Sequence, residues 1–153
     1  MRVVVAAVGK PRNAALAAAI DEYETRAARY WPLDVHEVRE EKAGSLSSEV
    51  VKEREGERLA GRAGAARIVA CDASGKSFTS EEFAAWLQRE REGDRDTAFV
   101  IGGAYGLSDE ILRRASMKIS LAPWTVPHEL ARLVLAEQLY RAGTIIRGEP
   151  YHK

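Results

Sequence analysis

Thr97-Ala98-Phe99-Val100-Ile101-Gly102-Gly103-Ala104-Tyr105-Gly106-Leu107-Ser108 decides the architecture. The apolar run to Ile101 reads as a strand, the glycines as a turn in which a ligand can lie against bare backbone, and Ser108 as the cap of a short helix to about Ala115. Strand, turn and helix in that order are the unit of a parallel α/β sheet, and such sheets hold ligands outside the carboxyl ends of their strands. A glycine turn alone reads equally well as a tight turn that binds nothing. The next apolar run, Met117 to Leu121, opens into a second turn, Ala122-Pro123-Trp124-Thr125-Val126-Pro127, and a last helix from Pro127 or His128 to about Ile146. Two such turns facing one another make room for a small cofactor.

The rest of the chain repeats the rhythm. Arg2 to Val8 is continuous and β-branched, as in a strand buried on both faces, and Gly9-Lys10-Pro11 ends it. Asn13 caps a helix to about Arg29, Leu33, Val35 and Val38 mark a second strand, and Ser47 or Ser48 caps a helix to about Ala63. The Lys/Glu/Arg run of that helix reads as a solvated face. Arg67 to Cys71 is a third strand, with Asp72-Ala73-Ser74-Gly75-Lys76 as its turn, and Thr79 or Ser80 opens a helix through Phe83, Trp86 and Leu87. In the last helix Leu130, Leu133, Val134, Leu135 and Leu139 form one broad apolar stripe for core or dimer contact, and Glu137 stands four residues before Arg141, able to pair with it. The pattern is a mostly parallel α/β sheet with helices on both faces, in one domain.

Composition narrows the partners. The 23 basic and 23 acidic residues cancel, so an RNA partner must be met by a local patch and not by bulk charge. The single Cys71 excludes a disulfide framework and fits a reducing compartment; within Ile68-Val69-Ala70-Cys71 it reads as a small buried hydrophobe. No run approaches the roughly 18 apolar residues of a membrane span, and the amino-terminal run is too short for a signal peptide, which points to the cytoplasm.

Two phosphate-site look-alikes fail. Gly75-Lys76-Ser77 resembles the end of a P-loop, but the glycine required five positions earlier is Ala70. The turn at Gly102 has the spacing G-G-x-x-G, not that of a dinucleotide fingerprint, and no fitting acidic residue follows on a second strand. Read alone, the polar end Tyr151-His152-Lys153 is a disordered terminus.

Four segments together resemble the bacterial ribosomal RNA large subunit methyltransferase H family, of the SPOUT class: Ile101 to Gly106, Thr125-Val126-Pro127-His128, Leu135-Ala136-Glu137-Gln138-Leu139-Tyr140-Arg141-Ala142, and Tyr151-His152. The likeness runs from Val3-Val4-Val5-Ala6-Ala7-Val8-Gly9-Lys10 to the carboxyl terminus. It implies an α/β, single-domain parallel-sheet SPOUT fold over residues 1–153 with a C-terminal trefoil knot, a topology general chain rules disfavour. It also implies methyl transfer from S-adenosylmethionine to N3 of a pseudouridine in helix 69 of 23S rRNA, on the assembled ribosome, by a homodimer; a sulfonium methyl donor needs no metal, and no metal site is expected. Carried over position by position, the cofactor site comprises Cys71, Gly102, Gly103 and Leu121-Ala122-Pro123-Trp124-Thr125-Val126-Pro127. The chain departs from the family pattern at Ala122, where serine is usual, and Trp124, where methionine or leucine is usual. A side chain at Gly103 is expected to occupy the cofactor's space.

The imide N3–H of the base is weakly acidic, so the reaction calls for a general base or a cation that stabilises the developing anion. Histidine titrates near neutrality, which suits His152 to the first role. Tyr151 can stack on or orient the base, Arg141 can supply charge with Glu137 orienting it, and His128 is the second candidate base. Two other readings compete: a non-catalytic ribosome- or RNA-binding dimer that keeps the fold, and a transferase for a different small molecule.

Overall fold

A computed structural model describes residues 1–153. The first strand, β1 (Val3–Val8), has side chains at most 2% exposed along its whole length, so it must be covered on both faces. It alternates accordingly. Val3, Val5 and Ala7 enter one core, and Val4, Ala6 and Val8 the other. β4 (Thr97–Ile101) does the same, sending Phe99 and Ile101 one way and Ala98 and Val100 the other.

With β2 (Leu33–Val38), β3 (Arg67–Ser77) and β5 (Met117–Ser120), these strands form one sheet in the order β2-β1-β4-β3-β5, every pairing parallel. All five carboxyl ends therefore emerge on one edge. The first core is closed by α1 (Ala14–Ala27), α3 (Ser80–Glu92) and α5 (His128–Ile146), through residues such as Phe83, Leu87, Leu135 and Leu139. The second is closed by α2 (Ser48–Ala63) and α4 (Asp109–Arg114), through Leu59, Ala63 and Ile111.

The helix starts follow their caps. Asn13 accepts from the amides of Ala15 and Leu16, Ser47 from Val50 and Ser108 from Ile111, while Thr79 and Glu82 form a reciprocal capping box. Helix α5 is tied across the first core: Trp31 Nε1 donates to Leu139 O at 2.8 Å, and buried Arg132 reaches Glu24 on α1 and Glu37 on β2, each at 2.7 Å.

Three expectations change. The segment Asp72–Lys76 is not a terminating turn but a bulge inside a longer strand. Asp72 Oδ1 accepts from Ser74 N at 2.9 Å, and the strand then resumes, Lys76 and Ser77 pairing with Ile119 and Ser120. The polar face of α2 is not wholly solvated, because Glu55 is only 2% exposed. The stripe on α5 splits: Leu135 and Leu139 are fully buried, whereas Leu130 and Val134 are 38% and 39% exposed. Burying a leucine is worth roughly 1.5–3 kcal/mol, so the inner line holds the helix on the sheet and the outer line is left for another contact.

Candidate active site

The carboxyl ends of β3, β4 and β5 and the first turn of α5 enclose a cleft of about 660 Å³, well within the roughly 300–1,000 Å³ of small-molecule sites. Cys71, Asp72 and Ala73 enter from β3, Ile101 to Leu107 from the glycine turn, Leu121, Ala122 and Trp124 to Pro127 from the second turn, and His128 and Ala131 from α5. Every expected cofactor residue but Pro123 lines this space. Eleven of its eighteen lining residues are hydrophobic, so polar recognition falls largely to the backbone of the two turns. That suits a ligand with an apolar body and a few polar edges. Trp124 is 76% exposed at the mouth, and Ser120 Oγ donates to Ala122 O at 2.7 Å, bracing the second turn from its start.

The glycines serve the turn more than the ligand. Gly106, at φ +84°, donates its amide to Gly103 O at 3.0 Å and closes the loop on itself. A Cβ on Gly102 would stand 2.6 Å from the backbone of Gly106, and one on Gly103 would stand 2.8 Å from Glu55 Oε2 and 3.0 Å from Val8. Both positions point back into the protein. A side chain at Gly103 therefore collides with Glu55 and not with a ligand, contrary to the sequence expectation.

Glu55 is the residue sequence reading missed. It accepts from Glu41 N at 3.0 Å through Oε1, while its buried Oε2 has no hydrogen-bond partner. Burial is the main force raising its carboxyl above the ordinary range, with nearby Glu40 and Glu41 adding to the rise and the Glu41 amide and Arg58 opposing it. The spacing Val51, Glu55, Leu59, four residues apart on the buried side of α2, is the signal that could have found it. Desolvation pushes the Cys71 thiol up to about 12, helped by Asp72, which favours the neutral thiol in this half-buried residue of the cleft wall.

The expected catalytic residues are gathered, but elsewhere. Glu137 Oε1 accepts from Arg141 Nε at 3.0 Å and from the Tyr151 hydroxyl at 3.0 Å, and the Arg141 guanidinium lies 4.7 Å from the centre of the Tyr151 ring. The Glu137 hydrogen bond holds the Arg141 cation firmly charged. Burial first, then hydrogen bonds with Tyr23 and Glu137, raise the Tyr151 phenol, so it stays protonated. Arg141 has only donors; at 3.2 Å from His152 Nδ1 it must donate to that nitrogen, which places the ring hydrogen on Nε2, aimed at Glu81 Oε1 at 2.8 Å. The terminus is thus a docked element and not a frayed end.

This tail cluster lies at the far end of α5 from the cleft. His128 lines the cleft and Arg141 carries the cluster, thirteen residues apart on one helix, or about 20 Å at 1.5 Å per residue. No residue of the tail lines the cleft; His152 instead reaches Glu81 in the first turn of α3. No three His, Cys, Asp or Glu side chains converge as metal ligands, and no helix is long and apolar enough to cross a membrane.

A doubly covered parallel sheet with a cleft built from the turns after β4 and β5 defines a class, and the model of the predicted SPOUT methyltransferase family matches residues 1–152. Among solved structures, a probable methylase family protein from Haemophilus influenzae superposes with a TM-score of 0.57 at 13% identity, covering 99% of this chain and 70% of that one. TrmJ from Z. mobilis gives 0.50 at 15%, covering 100% and 73%. At such identities the likeness is one of fold. Curated sequences are much nearer: ribosomal RNA large subunit methyltransferase H from Gemmatimonas aurantiaca is 61% identical, with both chains covered in full, and those from an Anaeromyxobacter species and Clostridium botulinum are 46% and 43% identical, again with both chains covered in full. The chain belongs to the ribosomal RNA large subunit methyltransferase H family of SPOUT methyltransferases.

Proposed function

We propose that this protein methylates N3 of a pseudouridine in helix 69 of 23S rRNA, in the cytoplasm and on the assembled ribosome, using S-adenosylmethionine and acting as a homodimer. The observation that carries the reading is the 61% identity to a relative of that name across both whole chains, joined to a cleft assembled from the same turns that mark the family. The cleft's size, apolar lining and backbone-rich turns fit a nucleoside-bearing sulfonium. When bound, that cofactor supplies an electrophilic methyl group and needs no metal. The turn at Gly102 and Gly103 and the loop Leu121–Pro127 then have the task of holding it in one orientation and excluding water.

The rest of the chemistry belongs to the tail. Arg141, paired with Glu137, offers its remaining donors to an N3 anion as it develops, and Tyr151, with its hydroxyl engaged by Glu137, offers a ring for the base. His152 takes the proton. Its Nδ1 lone pair is occupied by Arg141 in this arrangement, so accepting a proton there requires Arg141 to turn from the imidazole toward the substrate. His128, in the cleft wall, is the alternative base.

The dimer joins the two halves. Leu130 and Val134 lie on the outward line of α5, and Trp124 stands exposed beside them in sequence. Antiparallel packing of this line against its copy covers the apolar residues and sets the tail end of one α5 beside the cleft end of the other. A site separated by about 20 Å within one subunit is closed between two. The same reading includes trefoil threading of the C-terminal segment. Mass spectrometry of 23S rRNA from cells with and without the gene tests the function. Loss of the methyl group from a helix 69 pseudouridine is expected on deletion, and an unchanged nucleoside would overturn the assignment.

A further inference from the structure

The flank formed by α1, the end of α5 and the tail carries a cluster of arginines on aromatic rings. Six cation–aromatic contacts are present, and five of them share this flank. Arg26 lies over Tyr23 and Tyr140, Arg141 over Tyr151, Arg147 over Tyr30 at 4.6 Å and Arg91 over Trp31 at 4.1 Å. The rings are contiguous: Tyr151 to Tyr140 is 4.6 Å and Tyr140 to Tyr30 is 5.8 Å.

The cations along this line are not equivalent. Arg26 and Arg141 are neutralised by Glu22 and Glu137. Arg29, Arg91 and Arg147 have no carboxylate within salt-bridge distance, although 23 acidic residues balance 23 basic ones over the whole chain. Glu149, two residues after Arg147 in the chain, is engaged by the Tyr30 hydroxyl. Capping explains part of the arrangement, since Arg91 donates to Tyr30 O at 3.0 Å and Arg147 to Arg29 O at 3.4 Å, just past the end of α1. That uses one donor of the five each guanidinium has. Arg91 and Arg147 also stand close enough that, after burial, the charge of Arg147 is what lowers the Arg91 pKa. Mutually repelling arginines with unspent donors, held flat on rings, are arranged for an anion that is not part of this chain.

We propose that Arg91 and Arg147, with the exposed Arg29 whose carbonyl Arg147 caps, form a contact for the phosphate backbone of the RNA substrate, at the end of an aromatic and arginine face that begins at Tyr151. The proposal rests on the RNA reading above and locates where a chain of zero net charge keeps the local patch that reading needs. In an antiparallel dimer this face borders the partner's cleft, so a strand gripped here leads its base toward the reacting centre.

The test is binding of the fluorescently labelled full-length protein to assembled ribosomes carrying unmethylated helix 69 RNA, measured from 0.05 to about 0.5 M salt. Each phosphate contact contributes about 0.7–0.9 to the slope of log affinity on log salt. Arg29→Gln with Arg147→Gln should flatten the slope by about 1.5 and weaken binding roughly 25- to 60-fold at 0.1 M salt. Arg91→Gln, which keeps a donor for Tyr30 O, should flatten it by a further step. Arg113→Gln, on α4 across the sheet, should change nothing, and the affinity for S-adenosylmethionine and the dimer mass should be those of wild type throughout. A slope equal to wild type in the double variant overturns the phosphate contact. Loss of the dimer in that variant also overturns it, by making this flank a subunit interface. Failure of the wild-type protein to bind the ribosomes at any salt would remove the RNA reading itself, and this contact with it.

Discussion

Glu55 shows how one side chain couples scaffold and site. Its unpartnered Oε2 fills the space behind Gly103, so the wall of the cleft rests against a buried acid. Because its folded-state pKa is raised, the folded protein holds this proton more tightly than the unfolded chain. Stability is therefore greatest at low pH as far as this group is concerned, and falls as pH rises from the ordinary carboxylate value, about 4.3, through the raised one. Glu55→Gln keeps an acceptor for the Glu41 amide and removes the titration. Its melting temperature relative to wild type should climb across that window and then level, followed by thermal denaturation from pH 4 to 8. A difference that stays constant over the range would show that Glu55 is not the titrating group. Glu40, Glu41 and Arg58 are retained in both proteins, so their contribution cancels to first order.

At the scale of elements, α5 and the tail carry the argument. The helix start at His128 and the burial of Leu135 and Leu139 follow from the apolar period, but the docking of the last residues does not, since three polar residues have no local reason to be ordered. Contacts from residues distant in sequence hold them: Glu137 on Tyr151, Arg141 and Glu81 on His152. Truncation after Pro150, or His152→Ala, should leave S-adenosylmethionine affinity within about twofold by calorimetry. Methyl transfer should fall by roughly 10²-fold or more, the usual worth of a positioned acid–base group. Full activity in the truncated protein would transfer the base role to His128. The bulge in β3 teaches the same lesson from the other side. Asp72-Ala73-Ser74-Gly75-Lys76 has the composition of a turn, and only the neighbouring β5 recruits Lys76 and Ser77 back into the sheet.

At the scale of the whole molecule the question is whether a site is shared. Ala131 lines the cleft from the rigid first turns of α5, so Ala131→Phe obstructs the cleft without straining the glycine turn. A doubly tagged heterodimer pairing an Ala131→Phe subunit with a tail-truncated subunit should recover activity near half per dimer if the tail serves the partner's cleft. No recovery would place tail and cleft in the same subunit. The two homodimers provide the baseline, and light scattering should give about twice the 16.9 kDa subunit mass.

Local sequence accounts for the strand and helix order, the caps at Asn13 and Ser108, the doubly buried β1 and the turns after β4 and β5, because each depends on neighbours within a few residues and on apolar period; it left the cap of α3 open between Thr79 and Ser80. The family likeness extended that to an expected set of cofactor residues, all of which but Pro123 line one cleft. The order of strands in the sheet, the burial of Glu55 behind Gly103, the division of the α5 stripe into inner and outer lines and the separation of tail from cleft were decided only in the tertiary structure. These depend on which distant segments pack together. Local composition reports a residue's preferences, whereas the free energy of a buried charge or an exposed leucine is set by neighbours that the chain supplies from tens of residues away.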